Sequence, residues 1–72
     1  MSTQLYRKGR EVKIIGNDPS NPSGTHCFPM QLIATITHHA DIVRGIIEVE
    51  AIDPDDNVLT KQDILITDLE LL

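Results

Sequence analysis

Seventy-two residues make one small domain, near the lower limit for a core that stands alone. Such a chain buries roughly 60% of its unfolded surface and leans on a staple, a metal or another subunit. One cysteine, Cys27, excludes an internal disulfide. A single thiol and no signal-like start fit a reducing, cytoplasmic setting. No apolar run approaches the ~20 residues that cross a bilayer, so a soluble protein without a membrane partner is expected.

The net charge of −5 is unevenly placed. Residues 1–13 carry Arg7, Lys8, Arg10 and Lys13 against Glu11, a balance of +3. Residues 41–72 carry nine carboxylates against Arg44 and Lys61, a balance of −7, and Asp18 supplies the remaining unit. Such a surplus keeps a small protein soluble. It also suits a basic partner, although carboxylates interleaved with apolar residues read first as strand alternation.

Met1–Gln4 is expected to be a loose start. Gly9 falls in a turn, where a positive φ costs nothing. Val12 and Ile14 then alternate with Glu11 and Lys13, which predicts a first strand from Glu11 to Ile15. Arg7, Lys8, Arg10 and Lys13 are what a small nucleic-acid-associated factor would use, though such cations are also a common edge-strand surface. Gly16–Gly24 holds only turn and loop residues, so a long loop runs on toward Phe28. A loop of that length in so small a domain is either mobile or functional.

Met30–Thr37 reads as a second strand, with Met30, Leu32, Ala34 and Ile36 on one face and Gln31, Ile33, Thr35 and Thr37 on the other. His38-His39-Ala40-Asp41 is expected to turn the chain. Arg44–Ile52 is the central strand: Ile47, Val49 and Ala51 face a core, Glu48 and Glu50 face water. Ile42, Val43, Ile46 and Ile47 also suit a helix face, but Gly45 and the β-branched residues argue for strand. Asp53-Pro54-Asp55-Asp56-Asn57 is turn chemistry, and Val58-Leu59-Thr60 resumes an apolar run, which makes a hairpin. Thr60–Leu72 reads two ways: a helix beginning at Thr60, or a strand at Ile64-Leu65-Ile66 broken at Thr67-Asp68-Leu69 and resumed at Glu70-Leu71-Leu72.

Tyr6-x-x-Gly9-x-x-Val12-x-Ile14 resembles the opening strand of small SH3-like barrels, including bacterial KOW-type ones. Ile64-Leu65-Ile66-Thr67-Asp68-Leu69-Glu70-Leu71 resembles their closing strand, short 3₁₀ turn and final strand. The resemblance implies an all-β barrel of about five strands with one long loop, Gly16–Phe28, and a first strand paired with the last. The alternative is an α+β domain with a C-terminal helix. Two departures matter. SH3 domains dock polyproline on aromatic-lined grooves, and single-strand-binding barrels stack bases on aromatics. This chain has only Tyr6 and Phe28.

Candidate sites are sparse. Asp53, Asp55 and Asn57 imitate the start of a calcium loop, but Val58 stands where the bend needs glycine and Ile64 where the bidentate Glu belongs. His26, Cys27, His38 and His39 bracket the second strand and are weak candidates for a metal, without a paired ligand spacing; the other reading makes Cys27 a small buried hydrophobe and the histidines turn residues. Cys27 and His26 are adjacent, so in a strand they face opposite ways and form no dyad. No catalytic residue or cofactor is expected. The function expected is a non-enzymatic protein-interaction module, an accessory or regulatory subunit, with homo-oligomerisation open to so small a domain. Its contact surface is placed on Phe28 and Met30 with Arg7, Lys8 and Arg10; the rival role for Phe28 and Met30 is to plug the barrel end. The alternation predicts a β-dominated far-UV circular dichroism spectrum; helix above roughly a third of residues, the globular average, overturns the all-β reading.

Overall fold

The computed structural model describes residues 3–72. Its strands are β1 (Glu11–Ile14), β2 (Ile33–Asp41), β3 (Ile46–Asp53), β4 (Val58–Leu65) and β5 (Leu69–Leu71). They form one antiparallel sheet in the order β4-β3-β2-β1-β5, so the first and last strands pair. Three 3₁₀ turns, Thr3–Tyr6, Ile42–Arg44 and Ile66–Asp68, are the helical segments among the described residues. The chain is all-β.

Strand parity follows the sequence where alternation is strict. Val12 and Ile14 are fully buried between Glu11 and Lys13, and Ile47 and Val49 are fully buried while Glu48 and Glu50 are half-buried. Val12 and Ile14 from β1, Ala34 and Ile36 from β2, Ile47 and Val49 from β3, Ile64 from β4 and Leu69 from β5 form one core. The Asp53 turn forms as expected: Asp53 Oδ1 accepts from Asp55 N–H at 2.9 Å, Asn57 N–H donates to Asp53 O at 2.6 Å, and Asn57 takes φ +56°. Asn tolerates that left-handed conformation better than most side chains. Gly9 sits at φ +91° in the turn before β1, with Arg10 N–H donating to Arg7 O at 3.1 Å.

Three expectations need correction, and the α+β alternative falls away. Met1 and Ser2 lie outside the described residues, but from Thr3 the expected loose start is a 3₁₀ turn held by His39 Nε2 against Tyr6 O. β2 begins at Ile33 rather than Met30, because Gln31 takes φ +73° and Leu32 N–H closes a turn onto Pro29 O. His38–Asp41 stays in β2 instead of turning; two register shifts against β3 absorb it. The turn moves to Ile42–Arg44, where Asp41 Oδ1 accepts from Arg44 N–H and Gly45 at φ +76° ends it. The C-terminal helix does not form: β4 runs to Leu65, and one 3₁₀ turn leads into β5.

Val49→Asp puts a charge into a fully buried site, with an expected loss of several kcal/mol in urea unfolding. Glu50 is half-buried opposite Lys61, so Glu50→Lys is expected to cost no more than about 1 kcal/mol. Equal tolerance of both changes would put the register off by one residue.

Candidate functional site

The long connection between β1 and β2 is an ordered strap. Asn17 clamps it by bonding His26 twice: its Nδ2 donates to His26 O at 2.9 Å and its Oδ1 accepts from His26 N–H at 3.0 Å. Asn21, 4% exposed, donates from Nδ2 to Asp63 O at 2.7 Å and accepts from Ser23 N–H at 3.1 Å. Buried Asp68 accepts from Asp18 N–H at 3.0 Å, and a Cβ at Gly16 would strike its carboxylate. The Asp18 carboxyl is itself held below its ordinary pKa by the Ser20 backbone N–H. These hydrogen bonds close the loop on itself at Asn17 and tie it to Asp63 at Asn21 and to Asp68 at Asp18.

Phe28 follows from the strap. It is 3% exposed and belongs to the core, which matches its rival role of filling the interior and leaves the ring little surface for a partner. A ring this large beside β-strands removes more apolar area from water facing inward than on a loop tip. Met30, beyond it, is 46% exposed and available for contact. Around the Gly9 turn Arg7 and Lys8 are exposed, whereas Arg10 Nη2 donates to Leu72 O at 3.1 Å and Lys13 lies 3.6 Å from Glu70. Two of the four N-terminal cations are thus engaged within the fold.

The histidines and the cysteine are not brought together. His26 is buried, and both ring nitrogens are occupied: Nε2 bonds Gly16 O at 2.7 Å and Nδ1 accepts from Phe28 N–H at 3.1 Å, which assigns the proton to Nε2. His39 bonds Tyr6 O, and His38 stands exposed on β2. Neither is a turn residue. Cys27 is exposed rather than a buried hydrophobe. Its desolvation and then the hydrogen bond and charge of Asp53 push the thiol pKa up, which disfavours the nucleophilic thiolate. Among the described residues no three His, Cys, Asp or Glu side chains converge as metal ligands, and no pocket is enclosed.

What reading the chain by elements missed lies on the outer face of the sheet. Ile33 on β2, Ile52 on β3 and Leu59 on β4 are 42%, 51% and 55% exposed. Ile52 pairs with Leu59, and continuing the β2–β3 ladder two residues past its last pair, Thr35 with Glu50, would set Ile33 toward Ile52. Three exposed branched aliphatic side chains of the same parity thus fall on the outer face of neighbouring strands, two of them directly paired. Parity carried a signal, since Ile33 and Ile52 occupy the same faces as Thr35 and Glu50; the alignment across strands did not show. Glu50 lies one row below, and the exposed Asp55 and Asp56 lie in the turn above.

Comparison with protein families, curated proteins and solved structures finds no match to this chain.

Two measurements follow from this geometry. Asn21→Ala strips the strap of a buried bond and leaves Asp63 O unanswered, so urea unfolding is expected to lose ~1–3 kcal/mol. Cys27 is expected to alkylate more slowly at neutral pH than an unstructured cysteine, and Asp53→Asn to speed it by removing the facing charge; no change on that substitution would strike Asp53 from the causes and leave desolvation.

Proposed function

We propose that this chain is a non-enzymatic protein-interaction module built on an SH3-like barrel, an accessory or regulatory subunit working in the cytoplasm. The observation that carries the reading is the exposed row Ile33–Ile52–Leu59 on three adjacent strands. These side chains are already about half covered, so burying the remainder on a partner is worth on the order of 1 kcal/mol each, and their alignment supports reading the row as a binding surface. The strand order, the pairing of β1 with β5 and the 3₁₀ turn ahead of β5 support the barrel. With Phe28 buried and Tyr6 half-buried, there is little aromatic surface for polyproline or stacked bases, and Arg7 and Lys8 alone make a slight footprint for nucleic acid. Met30 and these two cations extend the surface at its margin. The lone free thiol suits a reducing compartment, and no helix among the described residues is long and apolar enough to cross a membrane.

Pull-down from the native source with mass spectrometry tests the assignment. Ile52→Lys, with an unchanged circular dichroism spectrum, is expected to lose its partner roughly tenfold or more, while Arg7→Ala with Lys8→Ala retains it. Undiminished capture by Ile52→Lys overturns the outer-face site.

A further inference from the structure

The sheet ends at β4, whose far side pairs with no strand among the described residues. The direction of its backbone groups follows from the ladder. Ile66 N–H donates to Gly45 O at 2.8 Å in continuation of the β3–β4 register, so Ile64, Gln62, Thr60 and Val58 bond toward β3. The N–H and C=O groups of Leu59, Lys61 and Asp63 therefore point to the open edge. Asp63 is already covered: its carbonyl accepts from Asn21 Nδ2, and its carboxylate lies 3.4 Å from Ser23 Oγ. The strap stops there, and Leu59 and Lys61 remain exposed.

We propose that this uncovered half of β4 pairs with the same half-edge of a second copy, antiparallel about a two-fold axis at Leu59. The inference rests on the outer face being the contact surface and names what covers its end. Three features select that occupant and that register. An outward-facing Leu59 can exchange both backbone hydrogen bonds with Leu59 of the second copy, the pattern of a hydrogen-bonded antiparallel pair. The row Ile33–Ile52–Leu59 then meets its own two-fold image, giving one apolar row across two joined sheets. Lys61 falls opposite Asn57 of the other copy, beside the exposed carboxylates of Asp55 and Asp56, and the reverse holds by symmetry. Shifting the axis to Lys61 would set two lysines against each other and drive the strap into the joining strand, so the charge pattern and Asn21 both exclude it.

The paired stretch is short against the roughly 1,200 Å² of a standard interface, so the dimer is expected to be weak and concentration-dependent. Sedimentation equilibrium of the whole chain from roughly 1 μM to 1 mM should show the mass rising from 8.0 kDa toward twice that value. Leu59→Pro removes an N–H that points away from β3 and leaves the internal ladder intact; it is expected to weaken association roughly tenfold or more. Lys61→Glu should weaken it too, and adding Asp55→Lys with Asp56→Lys should restore it, which keeps the test decisive if the proline variant does not fold. Overturning results are a monomer at every concentration, or a dimer that Leu59→Pro and Lys61→Glu leave unchanged. A monomer that still captures a partner through Ile52 sinks this proposal and leaves the module standing.

Discussion

Asp68 holds three parts of the molecule at one point. Its carbonyl accepts from Ile15 N–H at 2.8 Å, continuing the β1–β5 ladder past Ile14, while its carboxylate takes Asp18 N–H and packs on the bare Cα of Gly16. The end of the first strand, the start of the strap and the entry to the last strand are thereby fixed together. From that anchor the strap runs to Asn21 on the β4 edge and to His26, whose ring joins Gly16 O to Phe28 N–H. Phe28 enters the core because these bonds aim it there. In a domain with so little apolar area, buried polar groups with every partner in place set the strap's path and the packing beneath it.

The acidic second half resolves into separate duties. Asp41 caps the turn after β2, Asp53 shapes the hairpin, Asp63 and Asp68 receive the strap, Glu70 faces Lys13, and Glu48 accepts the Thr37 hydroxyl at 2.8 Å. Glu50, Asp55 and Asp56 are left beside the apolar row. The formal charge of residues 41–72 thus overstates the acid available to a partner, and a continuous acidic face imitating nucleic acid is not what these positions build.

Alternation carried β1 and β3, and turn chemistry carried the Asp53 hairpin and Gly9, because each depends on neighbours within a few residues. The end of β2 was illegible because it depends on an Asp41 side-chain cap and two bulges, which leave no period in the sequence. Thr60–Leu72 stayed ambiguous for a different reason: its apolar spacing suits both structures, and only the partner strands β1 and β3 decide. The inward turn of Phe28 and the burial of His26 arise inside a stretch without periodicity, where parity has no meaning. The outer row was half legible, since each residue's face could be read and the registers between strands could not.

The pairing of Val12 with Leu71 has a consequence for how the molecule is made. The β2–β3–β4 meander can zip up from near neighbours, but β1 must wait for β5 to leave the ribosome before its second edge is satisfied. Until then a strand bearing Val12 and Ile14 offers an open ladder, the kind of surface that nascent chains hide in the exit tunnel or behind a chaperone. Loop-closure entropy makes that last docking slow relative to the hairpins, so the vulnerable species in synthesis is the four-stranded sheet β4-β3-β2-β1 with the outer edge of β1 still open.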